Sequence, residues 1–72
     1  GIKASFVFTK VNDTIYVSAR SIDEVNVQLI CERLGGGGHL SVAGVQMKDV
    51  SVEEAMTRVK DTIRLMTKEG AI

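Results

Sequence analysis

The chain is 72 residues long, 44% apolar and 25% charged, with nine Lys and Arg against nine Asp and Glu. That composition is globular rather than disordered, and the length fits one small domain with a thin core. Zero net charge gives no support to long duplex nucleic acid or an anionic membrane as partner, and no apolar run approaches the 18 or so residues of a spanning helix.

Residues 2–9, IKASFVFT, place Ile2, Ala4, Phe6 and Phe8 on one face and Lys3, Ser5, Val7 and Thr9 on the other, which predicts a half-buried strand. Residues 14–20, TIYVSAR, alternate in the same way, with Ile15, Val17 and Ala19 against Tyr16, Ser18 and Arg20. Asn12 and Asp13 suit the turn of a hairpin between them. Next, Ser21 with Glu24 matches a capping box, and Asn26 is a rival cap for the same helix. Val27, Ile30, Cys31 and Leu34 then share one helical face, and Gly35 stops the helix. Cys31 is the sole cysteine, so no disulfide forms within one copy, and its apolar setting favours a buried thiol over a reactive one.

After the glycines at 35–38, HLSVA at 39–43 is compatible with a short helix ending at Gly44. VQMK at 45–48 alternates and predicts a third strand. Ser51 caps a long helix with Glu54 three residues on. Val52, Met56, Val59, Ile63 and Met66 form its apolar stripe, with Ala55 at the border and Gly70 closing the element. Such a stripe is core packing rather than a cofactor box. The expected fold is α+β over residues 1–72: a small mixed three-stranded sheet, a hairpin plus one strand, covered by helices. The chain opens on Gly1 rather than Met, which reads as a piece of a larger protein. No signal-peptide pattern is present.

Two stretches carry chemistry. The first is GGGGH, Gly35 to His39. Bare glycine amides in a tight turn can converge on an anion, and if His39 opened a helix, its N-terminus would add positive potential. The run is neither GxGxxG nor a GK[ST] phosphate loop, and a linker or double turn is the plainer alternative. His39 is open to three uses: a packed or capping residue, a metal ligand, or a contact to phosphate or base. A metal needs partners, and the sequence has no second His and no zinc-like spacing. The second stretch is SARS at 18–21. Ser18 and Arg20 share the polar face of a strand that Ser21 then leaves, and a strand-borne guanidinium presents a donor fork to phosphate. A solvated strand-end arginine is the alternative use.

SARS, then VNVQLI with Asn26, then LGGGGHLS, then Ala43 and Gly44 resemble the DHHA1 subdomain of the DHH phosphoesterase superfamily, over nearly the whole chain. VNVQLI and HLS resemble most its branch that opens cyclic di-AMP. VAG at 42–44 departs from the AAG that the superfamily often has, and its Gly44 is closer to the superfamily at large than to the cyclic di-AMP branch, which often has AA followed by a polar residue. The resemblance implies a C-terminal subdomain that supplies the substrate side of a cleft, with no catalytic residue of its own. Ser18, Arg20, Ser21 and Gly35, Gly36, Gly37, Gly38 and His39 would bind substrate. Two divalent metals, usually manganese, would sit on an N-terminal DHH domain of the same chain, since no DHH triplet is present here. The implied partners are a cyclic dinucleotide or a short oligonucleotide, that DHH domain, and a second copy in a homodimer of the longer protein. The longer protein would be anchored in the cell membrane and face the cytoplasm. The function expected is hydrolysis of cyclic di-AMP to a linear dinucleotide. A nanoRNA or oligonucleotide phosphoesterase is the alternative, and a non-catalytic nucleotide- or anion-binding regulatory module is the alternative from another class.

Overall fold

Period-two alternation and a two-residue turn build the first half of the domain. A computed structural model describes residues 3–22 and 25–72. Strands β1 (Ala4–Val11) and β2 (Thr14–Ser21) pair antiparallel, in a register that sets Phe6 against Ala19 and Phe8 against Val17. Asn12 turns the corner in the left-handed region at φ 56°, a conformation Asn tolerates better than most residues. The expected Ile2 start of this strand and the Glu24 half of the capping box lie outside the described residues. Helix α1 (Val27–Arg33) starts on Asn26, whose Oδ1 accepts from the Leu29 N–H at 3.2 Å, so the rival cap takes the role. Ser21 instead remains in β2.

Past the glycines the structure corrects the sequence reading. No helix forms over HLSVA. Gly37–Gly38 is a short strand, β3, and β4 already begins at Val42 and runs to Lys48. Leu40 and Ser41 are the tip of a tight turn closed by the His39 N–H donating to the Val42 carbonyl at 2.7 Å. The alternation of Ala43, Val45 and Met47 with Val42, Gly44 and Gln46 explains the longer strand: it continues unbroken through Gly44, which sequence alone reads as a stop. The sheet therefore has four strands in the order β1-β2-β4-β3, with every described pair antiparallel, rather than three in a mixed arrangement.

Helix α2 (Val52–Glu69) is capped as its sequence predicts, with the Ser51 hydroxyl accepting from the Glu54 N–H at 3.0 Å. Its buried residues are Ala55, Val59 and Met66, flanked by the half-buried Val52 and Ile63. Ala55 is thus central and Met56, expected on the stripe, is 38% exposed. The small Ala55 lets the helix axis approach the strands.

Both helices cover one face of the sheet. Ile15, Val17, Val45 and Met47 pack against Ala55 and Val59 of α2, and Ala19 and Ala43 pack against Val27 and Cys31 of α1. The alanines on the second half of the sheet leave room for α1 to sit close. An Arg33–Glu69 ion pair of 2.6 Å ties the ends of the two helices together. Among the described residues no element covers the other face of the sheet.

Candidate functional site

That open face is where the sequence-predicted residues gather. Register decides which of them share it. Ser18 lies opposite Val7 and Gly44, and Gly44 lies opposite Gly37. One row therefore crosses the whole sheet as Val7, Ser18, Gly44, Gly37. Arg20 lies opposite Ser5 and Val42, and Val42 accepts from His39. The next row is thus Ser5, Arg20, Val42, His39. Directly opposite residues point to the same side of a sheet. Arg20 and His39, 19 residues apart in sequence, stand on one face with Val42 between them, about 10 Å apart by strand spacing. Ser21 is opposite Ala4, with the opposite side-chain parity, and its backbone N–H donates to the Ser41 carbonyl at 2.8 Å. The structure does not bring its side chain to Ser18 and Arg20.

The four glycines have separate reasons. Gly35 sits at φ 93° after α1, where its N–H donates to Glu32 and the Gly36 N–H donates to Cys31, a paired closure of the helix end that needs the left-handed conformation. A methyl at Gly36 would overlap the Gly44 carbonyl oxygen and lie 2.7 Å from Val45 Cβ. A methyl at Gly38, at φ 145°, would lie 2.5 Å from Ala43 Cα and 2.6 Å from the Val42 carbonyl oxygen. Gly37 is different. A methyl there meets nothing within 4 Å, and its φ is not positive. Backbone conformation at Gly35 and close packing at Gly36 and Gly38 therefore account for three of the glycines and leave Gly37 bare on the open face. The run is not a linker, and it does not lead into a helix N-terminus. Its second half, Gly37–Gly38, is an edge strand. Gly38 stands between the bonded pairs Gly37–Gly44 and His39–Val42, so antiparallel alternation aims its N–H away from β4 at the free edge.

A shallow basin of about 470 Å³ opens on this face, lined by Tyr16, Ser18, Gly35, Gly36, Gly44 and Gln46 with the backbone between them. Its floor lies at Gly44, where a side chain is missing. Tyr16, Gln46 and Gly44 were not singled out as binding residues by sequence reasoning. The signal available was their even position in alternating strands, which also describes ordinary solvated residues. Arg20 and His39 border the neighbouring row rather than the basin itself.

Among the described residues no group of three His, Cys, Asp or Glu side chains is placed to hold a metal ion. His39 is exposed on the hairpin and Cys31 is buried between α1 and the sheet. Burial pushes the Cys31 thiol above its ordinary pKa, the reverse of what a nucleophile or ligand needs.

Comparison with known proteins identifies the family. A family model described as the DHHA1 domain matches residues 1–69. The chain is 53% identical over 64 residues to the cyclic-di-AMP phosphodiesterase GdpP of Geobacillus thermodenitrificans, covering 88% of this chain and 10% of that protein. It is 55% identical over 56 residues to the cyclic-di-AMP phosphodiesterase PdeA of Listeria monocytogenes, covering 76% and 8%. It is 36% identical over 64 residues to the bifunctional oligoribonuclease and PAP phosphatase NrnA of Thermus thermophilus, covering 89% and 20%. The chain thus spans a tenth or less of the two cyclic-di-AMP phosphodiesterases. With the family model matching nearly from end to end, the four-stranded domain with its glycine edge belongs to the DHHA1 family.

Proposed function

We propose that this chain forms the substrate-side wall of a phosphodiesterase that hydrolyses cyclic di-AMP to a linear dinucleotide. The observation that carries the reading is the single open sheet face on which Ser18, Arg20, the bare Gly37 and His39 come together. The identity to GdpP and PdeA supports cyclic di-AMP as the substrate. On this face the Arg20 guanidinium offers a planar fork to phosphate oxygens. The Ser18 hydroxyl and the edge-directed Gly38 N–H add neutral donors, and His39 can donate from the other end of the Arg20 row. Such a local grip needs no net basic charge, in keeping with nine cations against nine anions. Of two phosphates in the substrate, one held here orients the other for attack.

The described residues do not fit the role of metal holder. In this reading two divalent ions, manganese by family resemblance, belong to a DHH domain of a longer protein, and this chain binds and orients. The same reading puts that protein at the cytoplasmic face of the cell membrane. The anchor would lie in other segments, since no described helix is long and apolar enough to cross a membrane. The 36% identity to NrnA favours a second reading, a wall for short oligonucleotides.

The test is Arg20→Ala in the full-length protein. The side chain stands on the open face, away from the Ile15, Val17 and Ala19 core, so melting should not change. Loss of one charge-assisted hydrogen bond costs about 1.5 to 3 kcal/mol, so kcat/KM for cyclic di-AMP should fall roughly tenfold to a hundredfold. An unchanged kcat/KM rejects the role of Arg20. Faster turnover of short oligoribonucleotides than of cyclic di-AMP by the unmutated protein favours the second reading, and tight binding without turnover favours a regulatory module.

A further inference from the structure

One row further from Arg20, beyond Ser18, the open face carries Tyr16 on β2 directly opposite Gln46 on β4. Residues so paired have Cβ atoms about 5 Å apart and project side by side. Both line the basin, and Tyr16 is 40% exposed although it stands in the central strand β2. None of the side-chain hydrogen bonds among the described residues uses the Tyr16 hydroxyl or the Gln46 carboxamide. Beside them Gly44 leaves a gap in the floor, and a methyl there would already stand 3.0 Å from the Val17 carbonyl oxygen. The basin's volume of about 470 Å³ falls within the range of small-molecule sites.

Resting on the nucleotide reading above, we infer that Tyr16 and Gln46 form a purine subsite, with Tyr16 stacking on the base and Gln46 reading its edge. An aromatic ring open to solvent is a platform for a base of any sequence. A carboxamide adds selectivity. Its oxygen accepts from the N6 amino group of adenine while its nitrogen donates to N7. Guanine presents acceptors at both corresponding positions, so its O6 would face the Gln46 oxygen unfavourably. Ser18 lies midway between Tyr16 and Arg20, about 7 Å along the strand from each. A nucleotide laid along β2 thus places its base at Tyr16 and its phosphate toward Arg20 and His39, with the sugar bridging over Ser18. Gly44 and Gly37 keep the neighbouring strands low enough for that path.

The experiment compares two substrates and two bases in the full-length protein. Bis(p-nitrophenyl) phosphate is a phosphodiester with no purine. With Gln46→Ala or Tyr16→Ala, the kcat/KM for cyclic di-AMP should fall roughly tenfold to a hundredfold relative to that for the p-nitrophenyl ester, as expected for loss of a base contact. With Gln46→Arg, whose fork of donors matches guanine O6 and N7, the preference for cyclic di-AMP over cyclic di-GMP should shift toward the guanine dinucleotide by at least tenfold. An unchanged purine preference in Gln46→Arg overturns the inference, and so does an equal loss on both esters, which would mark the pair as packing against another part of the protein. If the unmutated protein hydrolyses neither cyclic dinucleotide, it is the proposed function that falls. The subsite is then decided by equilibrium binding of AMP against ribose 5-phosphate. A preference for AMP that Gln46→Ala and Tyr16→Ala abolish upholds it, and equal affinities overturn it.

Discussion

Alanine substitutions along the glycine run separate packing from ligand contact, because the four positions differ so sharply. At Gly36 the added methyl meets backbone: the Gly44 carbonyl oxygen, Val45 Cβ at 2.7 Å and Val45 Cα at 2.8 Å. Neither strand can yield without breaking the β3–β4 pairing. Overpacking of this kind costs about 1 to 3 kcal/mol, which for a domain of this size lowers Tm by roughly 5 to 20 °C. Gly38→Ala should do the same or worse, since strain at φ 145° adds to contacts of 2.5 and 2.6 Å. At Gly37 there is open space and no left-handed requirement. Alanine there narrows the unfolded ensemble by about 0.4 to 1 kcal/mol, so Tm should hold or rise by a few degrees. Nucleotide affinity should respond in the opposite sense: a methyl on the open face holds the ligand off the edge strand, and losing one hydrogen bond to a charged group weakens binding roughly tenfold to a hundredfold. Thermal melts of the chain and nucleotide titrations of the full-length protein give both numbers. A Gly36→Ala that melts like the parent would refute the packing argument. A Gly37→Ala with full nucleotide affinity would show that nothing approaches that position.

Two further predictions concern the fold. Ser51→Ala removes the hydroxyl that caps α2 and should cost about 1 kcal/mol, seen as a Tm lower by roughly 4 to 8 °C; an unchanged Tm would mean solvent replaces the cap at no cost. Cys31 has its pKa raised by burial, so ionisation favours the unfolded chain. Its contribution is fully present below the unfolded thiol pKa, about 8.5, and is lost as pH rises from there toward the folded value. The urea midpoint should therefore fall more steeply above pH 8.5 in the parent than in Cys31→Ala, and parallel slopes would contradict the burial argument.

Where side chains alternate and caps are distinctive, the fold was legible. The β1–β2 hairpin, the Ser51 cap of α2 and the buried Cys31 all follow from residues whose chemistry is local. The segment from 37 to 44 was not. A strand made of two glycines has no alternation to display, and Leu40 and Val42, which read as helical apolar positions, are 61% and 47% exposed at and beside a hairpin tip. Gly44 looked like a stop because sequence does not show that its β2 neighbour's carbonyl crowds any side chain there. The open-face residues Ser18 and Arg20 were visible from strand parity. Their alignment with Gly37 and His39 depends on the β4 register, a long-range pairing that no local pattern encodes. Ser21 joined them only through the family resemblance, and strand parity, which already took it off their face in the sequence, sends its side chain the other way.

Because both helices lie on one side of the sheet, β2 and β4 serve two masters on alternate residues. Substitutions at Ile15, Val17, Ala19, Ala43, Val45 and Met47 act on folding, whereas Tyr16, Ser18, Arg20, Val42 and Gln46 are free of that obligation. A lineage can therefore rewrite every second position and change what the wall recognises without re-solving how the domain holds together. Relatives with different substrates should diverge along these two strands with a period of two, and a saturation scan read for abundance and for catalysis should give two interleaved combs rather than two separate regions.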